Sequence, residues 1–211
     1  MLIAQSEFVK SVDFAFFFII AISVFFLVLI TGLMIYFVFK YSRKKHPKAE
    51  NIHGNVPLEI LWTVIPTILV LFMFYFGWMG YKEMSKIPED SMVVTVTAQM
   101  WKWSFKYENG RISDTLYVPV NRPVKVILNS LDVNHSFYIP AFRVKKDVIP
   151  GKQNTSWFKA TEVGSYPIFC AEYCGLNHSY MYNEVVVMPE NNFITWLTTD
   201  VGQVNNFTNQ K

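Results

Sequence analysis

Two long stretches without a charged residue dominate the first part of the chain, Phe14 to Phe39 and Ile60 to Tyr81. At a helical rise of ~1.5 Å per residue they would extend ~39 Å and ~33 Å, enough to cross a bilayer with some tilt. The rival reading is a pair of buried helices in a soluble core. The first stretch is too long for the apolar core of a signal peptide, and no small-residue cleavage pattern follows it. Asn55 and Pro57 mark a helix start before the second stretch, since proline suits a first turn. Pro66 lies inside that stretch, where a kink is expected and can be accommodated by neighbouring helices. From Ser91 onward strand signals replace the helical period. Segments 92–98, 100–107, 115–118, 123–129, 154–160 and 182–188 are short and rich in β-branched or aromatic residues. Asn109-Gly110 is the strongest hairpin signal between them. Strands at this spacing predict a Greek-key β-sandwich or barrel. The tail from Glu190 to Asp200 is expected to close as a short helix packed by Phe193, Trp196 and Leu197.

The fold class expected is therefore an α+β membrane protein. Residues 1–81 form a two-helix transmembrane hairpin, with helices at 14–39 and 60–81 and a loop at 40–59. Residues 82–211 form a β domain. Composition agrees: 52% hydrophobic and 17% charged is too apolar for an ordinary soluble protein. Charge adds orientation, because Lys40, Arg43, Lys44, Lys45 and Lys48 crowd the loop between the two stretches. The positive-inside bias places that loop in the cytoplasm, or matrix, and both termini on the outer side. Residues 82–211 carry thirteen Lys/Arg against twelve Asp/Glu, so no basic face points to nucleic acid. Glu59 falls in the first turn of the second helix, on the inner side. An acid there is favoured by the helix dipole.

The two cysteines sit in the β domain as Cys170-x3-Cys174-x3-His178-x2-Met181, and His135 lies upstream, after the strand at 123–129. An exported compartment makes a disulfide the default for a lone pair of cysteines. Zinc would accept two cysteines and two histidines but leave Met181 idle. Thiolate, imidazole and thioether on a β-sandwich are the donors of a copper electron-transfer site. One cysteine more than a mononuclear site needs would let two thiolates bridge two ions. Disulfide, zinc and dinuclear copper all stay open on spacing, with copper using most of the residues present.

The same residues resemble subunit II of cytochrome c oxidase. Cys170-x-Glu172-x-Cys174 with His178 and Met181, and His135-Ser-Phe leading to Asp147-x-Ile-Pro-Gly, match that family's copper motif, and QMWKWSFKY and LEILWTVIPTIL match its aromatic strand and second membrane helix. The resemblance implies a cupredoxin-like domain with a dinuclear copper centre. Cys170 and Cys174 would bridge the ions, His135 and His178 would bind one each, and Met181 and the backbone carbonyl of Glu172 would be weak ligands. The Glu172 carboxylate would reach a magnesium ion shared with subunit I. Trp101 would receive the electron from a c-type cytochrome, with Trp103 either a core aromatic or a partner in that role. Glu59 would stand at the mouth of a proton-uptake route. Implied partners are subunit I and other oxidase subunits, the membrane, and a separate cytochrome donor, since this chain has no C-x-x-C-H and no haem of its own. Arg143, Lys145 and Lys146 make the segment after His135 more basic than many relatives, and the near-neutral domain lacks a strong acidic docking face. A bacterial cell membrane is expected rather than a mitochondrial one, from the basic loop and the lack of a transit peptide. Two rivals are a quinol-oxidase subunit, whose relatives have lost the copper ligands, and a membrane-tethered copper carrier, which would hold one exchangeable ion.

Overall fold

The computed structural model describes residues 6–48, 51 and 53–199. Expectations that reach residues 1–5, 49, 50, 52 and 200–211, including Asp200 at the end of the predicted tail helix, lie outside the described residues. Two compact units are present, one of Ser11–Glu83 and one joining residues 6–10 to 84–199.

The first unit holds two long helices, α1 (Val9–Lys40) and α2 (Val56–Ser85). Each runs past its uncharged stretch at both ends, because extending an existing helix by one residue adds a hydrogen bond at little cost. Asn55 caps α2: its side-chain oxygen accepts the Leu58 N–H at 3.1 Å, and Pro57 fills the first turn. The helix continues through Pro66. Phe76 of α2 packs edge-on against Phe14 and Phe18 of α1, with ring centroids 5.1 and 5.2 Å apart. The Ser11 hydroxyl donates to Glu83 at 3.3 Å near the same ends. The two helices are thus antiparallel neighbours. Val9 is the only described residue buried in either helix, so their apolar surfaces suit lipid or other subunits.

The second unit is a β-sandwich. Its strands are β1 (Met92–Gln99), β2 (Lys102–Tyr107), β3 (Ile112–Ser113), β4 (Leu116–Pro119) and β5 (Pro123–Ser130), then β6 (His135–Ile139), β7 (Val144–Val148), β8 (Asn154–Lys159), β9 (Gly164–Cys170) and β10 (Tyr182–Met188). One sheet has the order β3-β2-β1-β5-β8 and the other β4-β10-β9-β6-β7. Alternation builds the core. Met92, Val94, Val96 and Ala98 of β1, with Val124, Val126 and Leu128 of β5, face inward and are buried. The Asn109-Gly110 turn closes the β2–β3 hairpin, with Gly110 at φ 87° where a side chain would be strained.

Three features depart from the sequence reading. The strand expected at 100–107 starts at Lys102, because Gln99 pairs with Lys102 and leaves Met100 and Trp101 as the two-residue connection. Strands β3, β6, β7 and β9 carry weak signals: β3 is two residues long, β7 reads VKKDV, and β9 contains Pro167. The segment before α1 joins the sandwich, with Ser6 bridged to Ala160 and Phe8 edge-on to Trp157 at 4.7 Å. The tail helix α3 (Glu190–Thr198) forms as expected, with Phe193 buried and Trp196 against Tyr107 and Tyr117. Arg111 fixes its end by donating to the Trp196 and Thr199 carbonyls at 2.6 and 2.8 Å.

Candidate metal centre

His135 opens β6 and Cys170 closes β9. These strands are neighbours, with Phe137 opposite Cys170. Since alternate residues share a face, His135 lies on the same side as Phe137 and at the end of the sheet where Cys170 sits. Cys174, His178 and Met181 come from the loop that joins β9 to β10. That loop is closed by the Cys170 N–H donating to the Met181 carbonyl at 3.1 Å, and the Ala171 N–H donates to Ser136 at 3.0 Å. Gly175 turns it at φ 113°, a conformation that disfavours any side chain.

The residues singled out in the motif come together. The Cys170 and Cys174 sulfurs are 3.8 Å apart. His135 Nδ1 is 3.8 Å from the Cys170 sulfur, and His178 Nδ1 is 3.5 Å from the Cys174 sulfur. The Met181 sulfur is 3.8 Å from that of Cys174, and the Glu172 carbonyl is 3.3 Å from that of Cys170. A disulfide needs ~2.05 Å between sulfurs, so the two thiols are not bonded. Two thiolates each ~2.3 Å from a shared first-row metal can stand at most ~4.6 Å apart, and the observed spacing fits inside that limit. The donor set also fits copper in kind. Cys2His2 alone would serve zinc, but the buried Met181 thioether and the Glu172 carbonyl are weak donors that a closed tetrahedral zinc site does not use.

Asp132 is the residue that sequence reasoning missed. One carboxylate oxygen accepts from His135 Nε2 at 2.8 Å, and the other accepts the Met100 N–H at 2.6 Å. With its Nε2 proton held this way, His135 presents a bare Nδ1 toward Cys170, the tautomer a metal ligand requires. Burial opposes ionisation of Asp132. The hydrogen bonds from His135 and from the Met100 and Val133 N–H groups prevail and hold its carboxyl below the usual range. The available signal was an acid three residues before a candidate ligand in a turn.

Trp101 lies in the β1–β2 turn, partly exposed, and its indole N–H donates to the Cys174 carbonyl at 3.2 Å. Trp103 is buried, packed against His135 and Phe137 at 6.2 and 5.6 Å, and is the core aromatic of the pair. Glu172 is exposed. Glu59 belongs to the helical unit, exposed in the first turn of α2, and Asn55 rather than Glu59 supplies the cap.

Burial pushes the Cys174 thiol from 9.0 up to about 12, and the adjacent Cys170 thiol adds to the shift. The folded, metal-free protein therefore holds that proton more tightly than the unfolded chain does. Its stability is complete below the unfolded value of 9.0 and is lost as pH rises from there toward about 12. Chemical denaturation of metal-free protein at stepped alkaline pH should show this fall, and copper loading, which displaces the thiol protons, should abolish it. A metal-free stability that is flat above pH 9.0 would contradict the burial of the pair.

Family models place the chain among known proteins. The transmembrane domain of cytochrome c oxidase subunit II matches residues 3–77, and the periplasmic domain of the same subunit matches residues 75–189. Cytochrome c oxidase subunit 2 of Thermostichus vulcanus is 30% identical, over 79% of this chain and 68% of the relative. The protein of the same name from a Synechocystis strain is 28% identical, over 95% of this chain and 75% of its own length. The crystal structure of the periplasmic domain of subunit II of cytochrome oxidase from Bradyrhizobium japonicum superposes with a TM-score of 0.51 at 32% identity, covering 53% of this chain and 94% of that one. Two helices long and apolar enough to cross a membrane, a β-sandwich with a His/Cys/Cys cluster, and both family matches lead to one conclusion: the chain belongs to the cytochrome c oxidase subunit II family, the electron-receiving subunit of a terminal oxidase.

Proposed function

We propose that this chain takes electrons one at a time from a separate c-type cytochrome at a dinuclear copper centre and delivers them to haem in subunit I, where oxygen is reduced to water and protons are translocated. The observation that carries this reading is a pair of unbonded thiols 3.8 Å apart, each with an imidazole nitrogen beside it. Cys170 and Cys174 would bridge two ions, His135 and His178 would hold one each, and Met181 and the Glu172 carbonyl would complete the set. Bound copper supplies a one-electron couple shared over two ions, which keeps bond changes small as the electron comes and goes.

The protein's part is to hold donors still and keep water out. His135 and Met181 are at most 1% exposed, and both cysteines are buried. Asp132 fixes the His135 ring, and β6 and β9 fix the positions from which His135 and Cys170 project. Trp101, hydrogen-bonded to the Cys174 carbonyl, offers a partly exposed polarisable ring through which an electron can arrive. The exposed Glu172 carboxylate is the group we assign to a magnesium ion shared with subunit I. Burial of His135, both cysteines and Met181 speaks against a copper carrier, whose ion must be exchangeable, and the retained donor set speaks against a quinol-oxidase subunit. The chain sits in a membrane through its helical unit. The basic loop at 40–59 supports an inner position for it in a bacterial cell membrane, with the sandwich on the periplasmic side.

Trp101 and Glu59 divide this function into separable steps. Trp101→Phe removes the indole N–H and part of the ring. Electron arrival from the cytochrome should slow by ~10-fold or more, equivalent to ~1.4 kcal/mol of barrier. Copper spectrum and donor affinity should stay unchanged. Stopped-flow reduction combined with binding measurements decides this, and equal loss of binding and transfer would make Trp101 a docking residue only. Glu59 is assigned to proton uptake from the inner side. Since Asn55 supplies the cap, Glu59→Gln should assemble with normal metal content and accept electrons normally, yet turn over ~10-fold or more slowly. Oxygen consumption equal to wild type across pH would return Glu59 to a helix-terminal acid.

A further inference from the structure

Among the described residues, two buried side-chain polar atoms have no hydrogen-bond partner, the Trp103 indole nitrogen and the Ser6 hydroxyl. Trp103 packs beside His135 and belongs to the metal centre. Ser6 lies elsewhere, in the short segment that docks on the sandwich before α1 begins, and it is 1% exposed. Buried polar groups without partners are few in a folded protein, and each calls for an explanation. The surroundings of Ser6 supply one. A polar cavity of about 410 Å³ is lined by Ser6, Glu7, Lys10, Asn121, Lys159 and Thr161. Backbone hydrogen bonds tie together the three pieces of chain that meet there. The Glu7 N–H donates to the Lys159 carbonyl at 3.3 Å, and the Asn121 N–H donates to the Ala160 carbonyl at 2.7 Å. Ser6 is bridged to Ala160, and burial of Phe8 and Val9 anchors the segment. Asn121 takes φ 60°, a conformation that asparagine tolerates better than most residues. The frame of the cavity is therefore set by the backbone.

Charge selects the ligand. Lys159 Nζ stands 3.6 Å from a Glu7 carboxylate oxygen, and Lys10 has no ion-pair partner among the described residues. Two ammonium groups against one carboxylate leave a net positive charge, which suits a single phosphodiester. Lys10 also stands in the first turn of α1, where the helix dipole favours an anion and no acidic side chain occupies the turn. The Ser6 and Thr161 hydroxyls and the Asn121 amide suit hydroxyl groups on the same ligand. At about 410 Å³ the space exceeds what a bare phosphate ion needs and falls within the ~300–1,000 Å³ of small-molecule sites. Position along the chain narrows the source. Lys10 precedes Phe14, the start of the uncharged stretch, by four residues, or ~6 Å of helix. That is about the depth of one headgroup layer, on the outer side by the charge bias of the loop.

We propose that this cavity binds the headgroup of an anionic phospholipid of the outer leaflet that carries a glycerol on its phosphate. Lys10 and Lys159 hold the phosphodiester, and Ser6 and Asn121 hold the glycerol hydroxyls. Glu7 keeps the Lys159 ammonium in place. A lipid held this way fastens the segment before α1 at the membrane surface. The proposal goes beyond the electron-receiving function and uses none of the copper donors.

The test uses the assembled oxidase, stripped of lipid in detergent and titrated with short-chain phosphatidylglycerol, short-chain phosphatidylcholine or inorganic phosphate. Hydrogen exchange of the backbone amides in residues 6–10 reads the cavity locally. Phosphatidylglycerol should slow that exchange at a concentration ~10-fold or more below that of phosphatidylcholine, and phosphate should have no effect in the same range. Lys10→Gln should raise the phosphatidylglycerol concentration needed by ~5-fold, as expected for losing one cation at an anionic lipid. Added salt should weaken the effect, because the contact is ionic. Ser6→Ala should weaken it too, without loss of assembly. Copper content and copper spectrum should be unchanged in both variants. An equal response to both lipids, or variants that behave as wild type, would overturn the proposal. A response to phosphate at the same concentrations would mark an ion site and overturn the lipid. Exchange that is already slow and indifferent to lipid would show that another oxidase subunit covers the cavity, and would also overturn it. The electron-receiving reading stands or falls separately, on the copper spectrum.

Discussion

Everything at the sandwich end depends on holding two sulfurs 3.8 Å apart out of water. As thiols they are tolerable there, and burial keeps the Cys174 proton on. As thiolates they would repel by about 4 kcal/mol even in a moderately polarisable surrounding, before any desolvation cost. Only cations placed between and beside them can offset that, and the nitrogen and weaker donors are arranged to complete the coordination of such cations. Rigid β6–β9 pairing makes the arrangement possible, since it sets His135 beside Cys170 without relying on a flexible loop. The Cys170 N–H bond to the Met181 carbonyl then ties the return of the loop to its start.

The same constraint explains what surrounds the donors. An imidazole can serve a metal only in one tautomer and one orientation, so His135 is held by Asp132 from one side and packed by Trp103 from another. The loop must turn tightly just after Cys174, which places Gly175 at a positive φ and lets the Trp101 ring settle over it. The aromatic ring reaches the centre because the chain below it has no side chain.

How much of this the sequence discloses depends on how local each feature is. Cys170 at the end of β9 and Cys174, His178 and Met181 in the loop after it lie within one short span, so their spacing alone gathered them, and the two apolar helices were plain from length and charge. His135 was visible only as a histidine after a strand, because its partner strand β9 contains a proline and reads poorly as a strand. Asp132 was missed for a different reason: an acid three residues before a histidine is a weak local signal, and its second contact reaches Met100, far back in the chain. Sequence left Trp103 either a core aromatic or a partner of Trp101, and the register of β1 with β2 puts Trp101 in a turn and Trp103 in the core. The docking of residues 6–9 on the sandwich had no signal, since a single bridge and one buried phenylalanine leave no pattern. Glu59 was legible in position, in the first turn of α2, where Asn55 supplies the side-chain cap and a dipole-favoured acid remains the alternative to proton uptake.

The central claim is that two thiols form the shared ligands of two copper ions. Metal analysis of the native chain together with electron paramagnetic resonance of its oxidised form tests it most directly. Two coppers per chain are expected, with hyperfine structure from two equivalent nuclei, because two neighbouring thiols each have a separate imidazole beside them. One copper with a mononuclear spectrum, or zinc at full occupancy in native material, would contradict it.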